Sequence, residues 1–257
     1  MNTVHCLWPL PPDTASRDPL TDADLERIYA YPDDLERPWV QVNFVCSADG
    51  AVSVDGRSEG LSHPADKRIF ALGRDLADVV LVGATTVRTE KYRGVKRHEL
   101  RVERRRRLGL SDVPPIAVVS GRCTITPDDL IVTDTAVPPI VLTTEDAPAT
   151  RRDALTAAGA DVIVVGERSV DLPAALGVLH TRGLRRINCE GGPHLFGTLI
   201  AEDLVDQLCL TVAPLLAGAG ADRIATGPTN MVPQRMRLAS MLHEDGFLMM
   251  RYRREAG

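Results

Sequence analysis

The sequence predicts an α/β fold: a mostly parallel but mixed sheet, flanked by helices and closed by a C-terminal antiparallel hairpin. Three observations carry this. Short apolar runs of strand length alternate with helix-like segments between residues 40 and 212, a rhythm that sets parallel strands beside crossover helices. Gly159 and Gly183 fall where such helices have to stop. The last two strand-like runs have only Asp245-Gly246 between them, so they pair as a hairpin.

Ahead of Pro38 the chain is rich in proline and acid (WPLPPDT, YPDDLERP), and residues 1–37 read as an extended N-terminal arm with one short helix around residues 22–30. Residues 38–257 read as a single domain. It opens with a strand at 40–46. Pro64 suits the first position of a helix over 64–76, with Ser62 or His63 near its cap. Buried apolar strands follow at 79–82, 116–119 and 140–143. A helix over 151–158 stops at Gly159, and a strand at 162–165, a helix over 172–181 and a strand at 186–189 come next. After the helix opened by Pro193, a strand at 208–212 leads to the hairpin between residues 235 and 253. No repeat or low-complexity linker divides the core.

With 257 residues, 44% of them hydrophobic, the chain can bury a sizeable core. Its net charge of −5 gives no electrostatic reason to bind nucleic acid or a membrane surface. The basic run at 101–107 (RVERRRR), interleaved with Glu99 and Glu103, reads as a solvated helix face. No N-terminal apolar stretch has the length of a signal peptide or membrane span, and the five cysteines are odd in number and scattered, so a reducing cytoplasm is expected. Cys46, Cys189 and Cys209 sit in apolar runs as small core residues. No C-x-x-C pair or histidine at ligand spacing accompanies them, so no metal is expected. The metalloprotease, serine-hydrolase and P-loop signatures are absent too.

Ligands of such sheets bind beyond the carboxyl ends of the strands. Ser47-Ala48-Asp49-Gly50 follows the first strand, Gly83-Ala84-Thr85-Thr86 the second and Ser120-Gly121-Arg122 the third, while Gly166 ends a later one. The clearest is Glu190-Gly191-Gly192-Pro193, where a strand gives way to a helix: the glycines admit a ligand to the backbone, and the helix start turns free N–H groups toward an anion. Small residues, hydroxyls and one arginine at successive strand ends make a cradle for an extended, phosphate-bearing cofactor.

The ordered motifs V-Q-V-N-F-V-C-S-A-D-G, L-A-D-V-V-L-V-G-A-T-T-V and N-C-E-G-G-P-H-L, followed by L-V-D-Q-L-C-L-T-V-A-P-L-L-A-G, span nearly the whole chain. Together they resemble the reductase domain of the bifunctional riboflavin-biosynthesis deaminase/reductase, which has the dihydrofolate reductase-like fold. The resemblance implies an NADPH-dependent reductase that opens the ribose ring of 5-amino-6-(5-phosphoribosylamino)uracil by hydride transfer. By position, Gly83, Thr85 and Thr86 would hold the cofactor, Ser120 and Arg122 would lie near its 2′-phosphate, and Gly191 and Gly192 would face its pyrophosphate. Asn43, Ser47 and Asp49 would sit beside the substrate, Asn43 where many members have lysine. The zinc signature of the deaminase half is absent from the chain.

One stretch departs from the family. Where members read roughly T-V-x-x-D-[DN]-P-x-L-T-x-R, this chain has Thr86-Val87-Arg88-Thr89-Glu90-Lys91-Tyr92-Arg93-Gly94. Glu90 keeps the acid and is the candidate catalytic residue, while Arg93, Arg97 and Arg101 are candidate anion contacts. The rewritten loop leaves two alternatives open: a pterin or dihydrofolate-type reductase, with Asp66 or Glu90 gripping the ring, and a non-catalytic NADP-binding protein. Residues 204–216 are apolar, the hairpin offers a sheet edge, and family members are commonly dimers, so a homodimer is expected.

Overall fold

The computed structural model describes residues 4–9, 19–218, 220, 222–227 and 232–255. In chain order its elements are β1 (His5–Trp8), α1 (Asp22–Tyr29), β2 (Trp39–Ser47), a 3-10 turn (Glu59–Leu61), α2 (Pro64–Leu76), β3 (Val79–Gly83), α3 (Ala84–Thr89) and α4 (Glu99–Arg107). There follow β4 (Ile116–Val119), α5 (Leu130–Thr133), β5 (Ile140–Thr143), α6 (Ala149–Ala157), β6 (Asp161–Val164), α7 (Leu172–Thr181) and β7 (Arg186–Cys189). The chain then forms α8 (Pro193–Ala201), β8 (Gln207–Ala213), β9 (Met236–Glu244) and β10 (Phe247–Arg254).

The ten strands among the described residues join one sheet in the order β1-β9-β10-β8-β2-β7-β3-β4-β5-β6. From β8 to β6 the neighbours are parallel, so their carboxyl ends share one edge. The pairs β10–β8, β10–β9 and β1–β9 are antiparallel. Strand alternation sends Val79 and Leu81 to one face, against Leu179, Phe196 and Leu199, and Val80 and Val82 to the other, with Ile116, Val118 and Leu155. A third cluster, around Leu25, Tyr29, Leu72, Cys209, Leu242 and Met249, joins α1 and α2 to the antiparallel strands.

The helix starts follow capping chemistry. Thr21 and Asp24 form a reciprocal capping box on α1, and Asp171 accepts the Ala174 N–H at 2.9 Å on α7. On α2 the cap is His63, whose Nδ1 accepts from Ala65 N at 3.3 Å; Ser62 instead donates to the Asp66 carboxylate. The short helices α3 and α5, between β3 and β5, carry no periodicity strong enough to announce them in the sequence.

Three features depart from the sequence reading. Before Pro38 the chain contributes a strand as well as the expected helix: β1 pairs with β9, and Val4, Leu25, Tyr29 and Tyr31 belong to the third core cluster. Most of the proline-rich stretch, residues 10–18, lies outside the described residues. β1 covers β9 at residues 241–243, so the hairpin's expected edge is closed over that part. The basic run is not simply a solvated face: Arg105 is fully buried and donates to the carbonyls of Arg74, Asp75 and Ala77 at the end of α2 and of Ser111 beyond α4. Its neighbours are tied to acids, Arg101 and Arg104 to Asp75, Arg106 to Asp112 and Arg107 to Glu26.

Candidate active site

The carboxyl ends of β2, β3 and β7 open on a cavity of about 850 Å³. Its lining includes Asn43, Phe44, Asp66, Thr85, Thr86, Glu90, Glu190 and Gly192.

One end of the cavity is made of backbone. The Glu190 N–H donates to Leu81 O at 2.9 Å and the Gly83 N–H to Gly191 O at 2.7 Å, lacing the turn after β7 onto β3. The Gly191–Gly192 peptide is cis. Gly191 has φ +83°, and a Cβ there would stand 2.6 Å from Phe44 Cζ; a Cβ on Gly192 would run into Thr86 Oγ1. Gly191 therefore requires glycine, whereas at Gly192, in ordinary extended backbone, the Thr86 hydroxyl would have to turn aside. Gly192 and Gly83 are the N-caps of α8 and α3, and neither helix start is closed by a side chain. Two sets of first-turn N–H groups without intrahelical acceptors thus flank one turn.

The adjoining wall is made of charge. Arg74, from the last turn of α2, forms a two-pronged ion pair with Glu190, both bonds at 2.6 Å, with side chains 18% and 0% exposed. The same carboxylate accepts the Tyr92 phenol at 2.8 Å and Asn188 Nδ2 at 3.2 Å. The Arg74 guanidinium lies over the rings of Phe70 at 4.6 Å and Tyr92 at 5.4 Å. Burial works against its charge, yet Glu190 beside it holds its pKa above the ordinary arginine value. Burial, then Glu190, pushes the Tyr92 phenol well above its ordinary value, keeping it a proton donor.

The other expected residues are distributed as follows. Asn43 and Asp66 are buried and line the cavity. Burial raises the Asp66 pKa against the pull of the Ser62 hydroxyl, and Asp66 has no ion-pair partner among the described residues. Glu90 lines the cavity half-buried, accepting the N–H and the hydroxyl of Ser58, each at 3.0 Å. Ser47 and Asp49 lie outside the cavity lining, their polar atoms engaged in the turn after β2 and with the backbone at 217–218. Ser47 Oγ donates to Asp49 and accepts from Ala51 N, while Asp49 also accepts the amides of Ala217 and Gly218. Those bonds, the Ser47 hydroxyl first, hold the Asp49 carboxyl at about 2.

Ser120 and Arg122 stand at the end of β4, one strand beyond β3, outside the cavity lining; Ser120 accepts Thr124 N at 2.9 Å, and Arg122 is exposed. Gly166, past the far edge strand β6, has φ +96°, and a Cβ there would press on Ser169 O and Asp171 N. A tight turn accounts for that glycine, which follows the strand three places beyond β3 in the sheet. The arginines expected as anion contacts are committed: Arg93 to Asp134, Arg97 to Asp112 and Arg101 to Asp75. Arg74, Phe70 and Tyr92 were missed. Arg74 and Phe70 sit one helical turn apart on α2, a spacing that could have flagged them.

The RibD C-terminal domain profile matches residues 38–246. The 2,5-diamino-6-ribosylamino-4(3H)-pyrimidinone 5′-phosphate reductase of Archaeoglobus fulgidus is 35% identical over 184 residues, covering 71% of this chain and 83% of that protein. Its namesake in Methanothermobacter thermautotrophicus is 31% identical over 186 residues, covering 71% and 80%. Among solved structures, a pyrimidine reductase-like protein of Corynebacterium diphtheriae superposes with TM-score 0.78 at 24% identity, over 91% of this chain and 99% of that one. The Saccharomyces riboflavin biosynthesis reductase Rib7 gives 0.62 at 20%, over 88% and 93%. These likenesses establish the dihydrofolate reductase-like fold. A further relative, from Bacillus amyloliquefaciens, is named as the riboflavin biosynthesis protein RibD. The chain belongs to the RibD C-terminal domain family.

Proposed function

We propose that the chain is an NADPH-dependent reductase of a ribosylaminopyrimidine 5′-phosphate. The substrate is either the diaminopyrimidinone named for the archaeal relatives or 5-amino-6-(5-phosphoribosylamino)uracil. One observation carries this reading: a single cavity joins a backbone cradle to a polar wall. Two helix starts left open beside Gly191 and Gly192 suit a pyrophosphate, whose charge they would offset. Thr85 and Thr86 add hydroxyls at the same end, and Arg122 lies one strand further along, where the adenosine 2′-phosphate of an extended dinucleotide would fall.

When bound, a reduced nicotinamide supplies a hydride. The protein's residues have two tasks. Asn43 and Asp66 present a donor, acceptors and a carboxyl to the edge of a flat heterocycle. Glu90, fixed by Ser58, is the acid placed to orient the sugar and assist proton transfer to the ring oxygen as its bond to C1′ breaks and C1′ gains hydrogen. Asp66 supports a second reading, reduction of a pterin, since a buried carboxyl without an ion pair can take an amino-pyrimidine edge through two hydrogen bonds.

NADPH consumption by the purified chain, with each pyrimidine and dihydrofolate offered separately, tests both. Turnover of a pyrimidine alone selects the first reading, turnover of dihydrofolate alone the second, and turnover of neither rejects both.

We further place the protein in the cytoplasm as a homodimer. Its five cysteines are all free, and no helix among the described residues is long and apolar enough to cross a membrane. Leu210, Val212, Leu248 and Met250 are half-buried on one face of β8 and β10, an apolar surface suited to a second copy. A monomeric mass at micromolar concentration in sedimentation would reject the dimer.

A further inference from the structure

The rewritten loop holds a residue that neither the sequence patterns nor the proposed chemistry assigns. Tyr92 follows Lys91, which adopts φ +52°, an uncommon conformation for a side chain of that size. The Tyr92 N–H closes back onto Val87 O at 2.9 Å, and its phenol donates to Glu190 Oε2 at 2.8 Å. The other donors to that carboxylate come from the scaffold, Arg74 from α2 and Asn188 from β7. Asn188 is held in turn by a buried amide ladder: Gln41 Nε2 donates to its Oδ1 at 3.3 Å, Gln207 Nε2 to Gln41 Oε1 at 2.5 Å, and Arg253 Nε to Gln207 Oε1 at 2.7 Å. The carboxylate is thus anchored to the sheet on one side and to the loop through one phenol on the other.

Glu190 immediately precedes Gly191–Gly192, the turn of the backbone cradle, whereas Glu90, Lys91, Tyr92, Arg93 and Gly94 line the cavity beside Asp66 and Phe70. The remaining side-chain ties of this loop run elsewhere, Glu90 to Ser58, and Arg93 and Lys96 to Asp134. Tyr92 alone connects it by a side-chain hydrogen bond to the residue before the turn.

We propose that Tyr92 is a positioning residue that couples the two ends of the site, so that a dinucleotide on the Gly191–Gly192 turn and a heterocycle against the 90–94 loop each favour the binding of the other. The proposal rests on the function inferred above. A dinucleotide that orders the turn fixes the peptide leaving Glu190. The carboxylate, already pinned on its other side, then holds the phenol and with it the loop in the orientation the heterocycle meets. The linkage is reciprocal, because a coupling free energy belongs to the pair of ligands and to neither alone.

The experiment is a pair of titrations: NADPH affinity by fluorescence, without and with a saturating amount of the ribitylaminopyrimidine phosphate product, which has no carbon left to reduce. In the unmodified chain the product should tighten NADPH about tenfold, within the ordinary range of such couplings. Tyr92→Phe keeps the ring beside the Arg74 guanidinium and removes only the hydroxyl, with its hydrogen bond to Glu190 and its contact with Arg74. Its NADPH affinity without product should stay within about twofold, while the tightening falls close to one, since a hydrogen bond to a charged group is of that order. Asp134→Asn loosens the loop's other ties, to Arg93 and Lys96, without touching Tyr92 or Glu190, and should keep the coupling even if it lowers the melting temperature. Equal coupling in Tyr92→Phe and the unmodified chain overturns the proposal, as does loss of coupling in Asp134→Asn to the same degree. An unmodified chain that binds the product without any coupling overturns the role of Tyr92 alone; one that does not bind it rejects the pyrimidine reading and the proposal with it.

Discussion

The two ends of the cavity are built of opposite materials. At Gly191–Gly192 the working groups are backbone amides, and the residue types matter chiefly for what they lack: any Cβ would strike Phe44 or Thr86. Along α2 and the 90–94 loop the working groups are charged and aromatic side chains locked to one another, with Glu190 taking hydrogen bonds from Arg74, Tyr92 and Asn188. The first end should fail when an atom is added. The second should fail when a charge is removed, and the two failures are separable by experiment.

The largest effect should come from the charged wall. Arg74→Ala leaves Glu190, whose side chain is fully buried, as an uncompensated anion, and removing one partner of such a pair costs about 3–5 kcal/mol. Urea denaturation should show this loss, and adding Glu190→Gln to Arg74→Ala should recover part of it. A double variant as unstable as the single would mean that the deficit is lost packing against Phe70 and Tyr92.

The backbone end should give the next largest effect. Gly191→Ala combines a left-handed conformation with a contact 2.6 Å from the Phe44 ring, together about 2–4 kcal/mol. Gly109→Ala is its internal control, because Gly109 has φ +69° with nothing within 4 Å of an added Cβ, so it should cost only the conformational part, about 1–2 kcal/mol. NADPH affinity should fall in Gly191→Ala and stay unchanged in Gly109→Ala. Equal stability losses in the two variants would remove the close approach from the account.

The same contrast explains what could be read in the sequence. Gly191, Gly192 and Pro193 announced their turn because backbone needs leave a local signature, a residue without a Cβ beside one without an N–H. The parallel strands and the hairpin at Asp245-Gly246 were legible for the same reason, as short-range patterns. The charged wall was not, since Arg74, Tyr92 and Glu190 meet only after folding, separated by up to 116 positions. Arg105 misled for a related reason. Its partners are carbonyls at the end of another helix, and nothing in RVERRRR distinguishes the one arginine that turns inward. β1 escaped notice because its place depends on β9, more than two hundred residues away.

A third experiment asks how far the backbone end extends along the sheet. If Arg122 meets the cofactor's 2′-phosphate, Arg122→Ala should weaken NADPH by about 1.5–3 kcal/mol and leave NADH nearly unchanged, the range for a hydrogen bond to a charged group. Its exposure and its place beyond β4 allow this without any cost to the fold. Equal losses for both cofactors would put the phosphate elsewhere.

The smallest effect should come from Asp66, where the two kinds of construction meet on the first turn of α2. Burial raises its pKa above the ordinary 3.8, and it outweighs the Ser62 and Thr211 hydroxyls and the nearby Lys67 and His63, which all pull the other way. A carboxyl raised in the folded state binds its proton more tightly there than in the unfolded chain. Its contribution to stability is therefore fully present below 3.8 and is lost as pH rises through the folded value. Above that window the ionised carboxylate opposes folding. Asp66→Asn keeps an acceptor for Ser62 and removes the charge, so it should melt higher than the unmodified chain near neutral pH, with the difference shrinking as pH falls and vanishing below 3.8. A stabilising change at a cavity residue is the mark of a group kept for function. The same variant should then bind a pterin or pyrimidine less well while holding NADPH unchanged. Melting curves that differ by the same amount at every pH would show that Asp66 binds its proton equally well in the folded and unfolded chains, so that burial does not raise its pKa and the variant reports only on the hydrogen bond with Ser62.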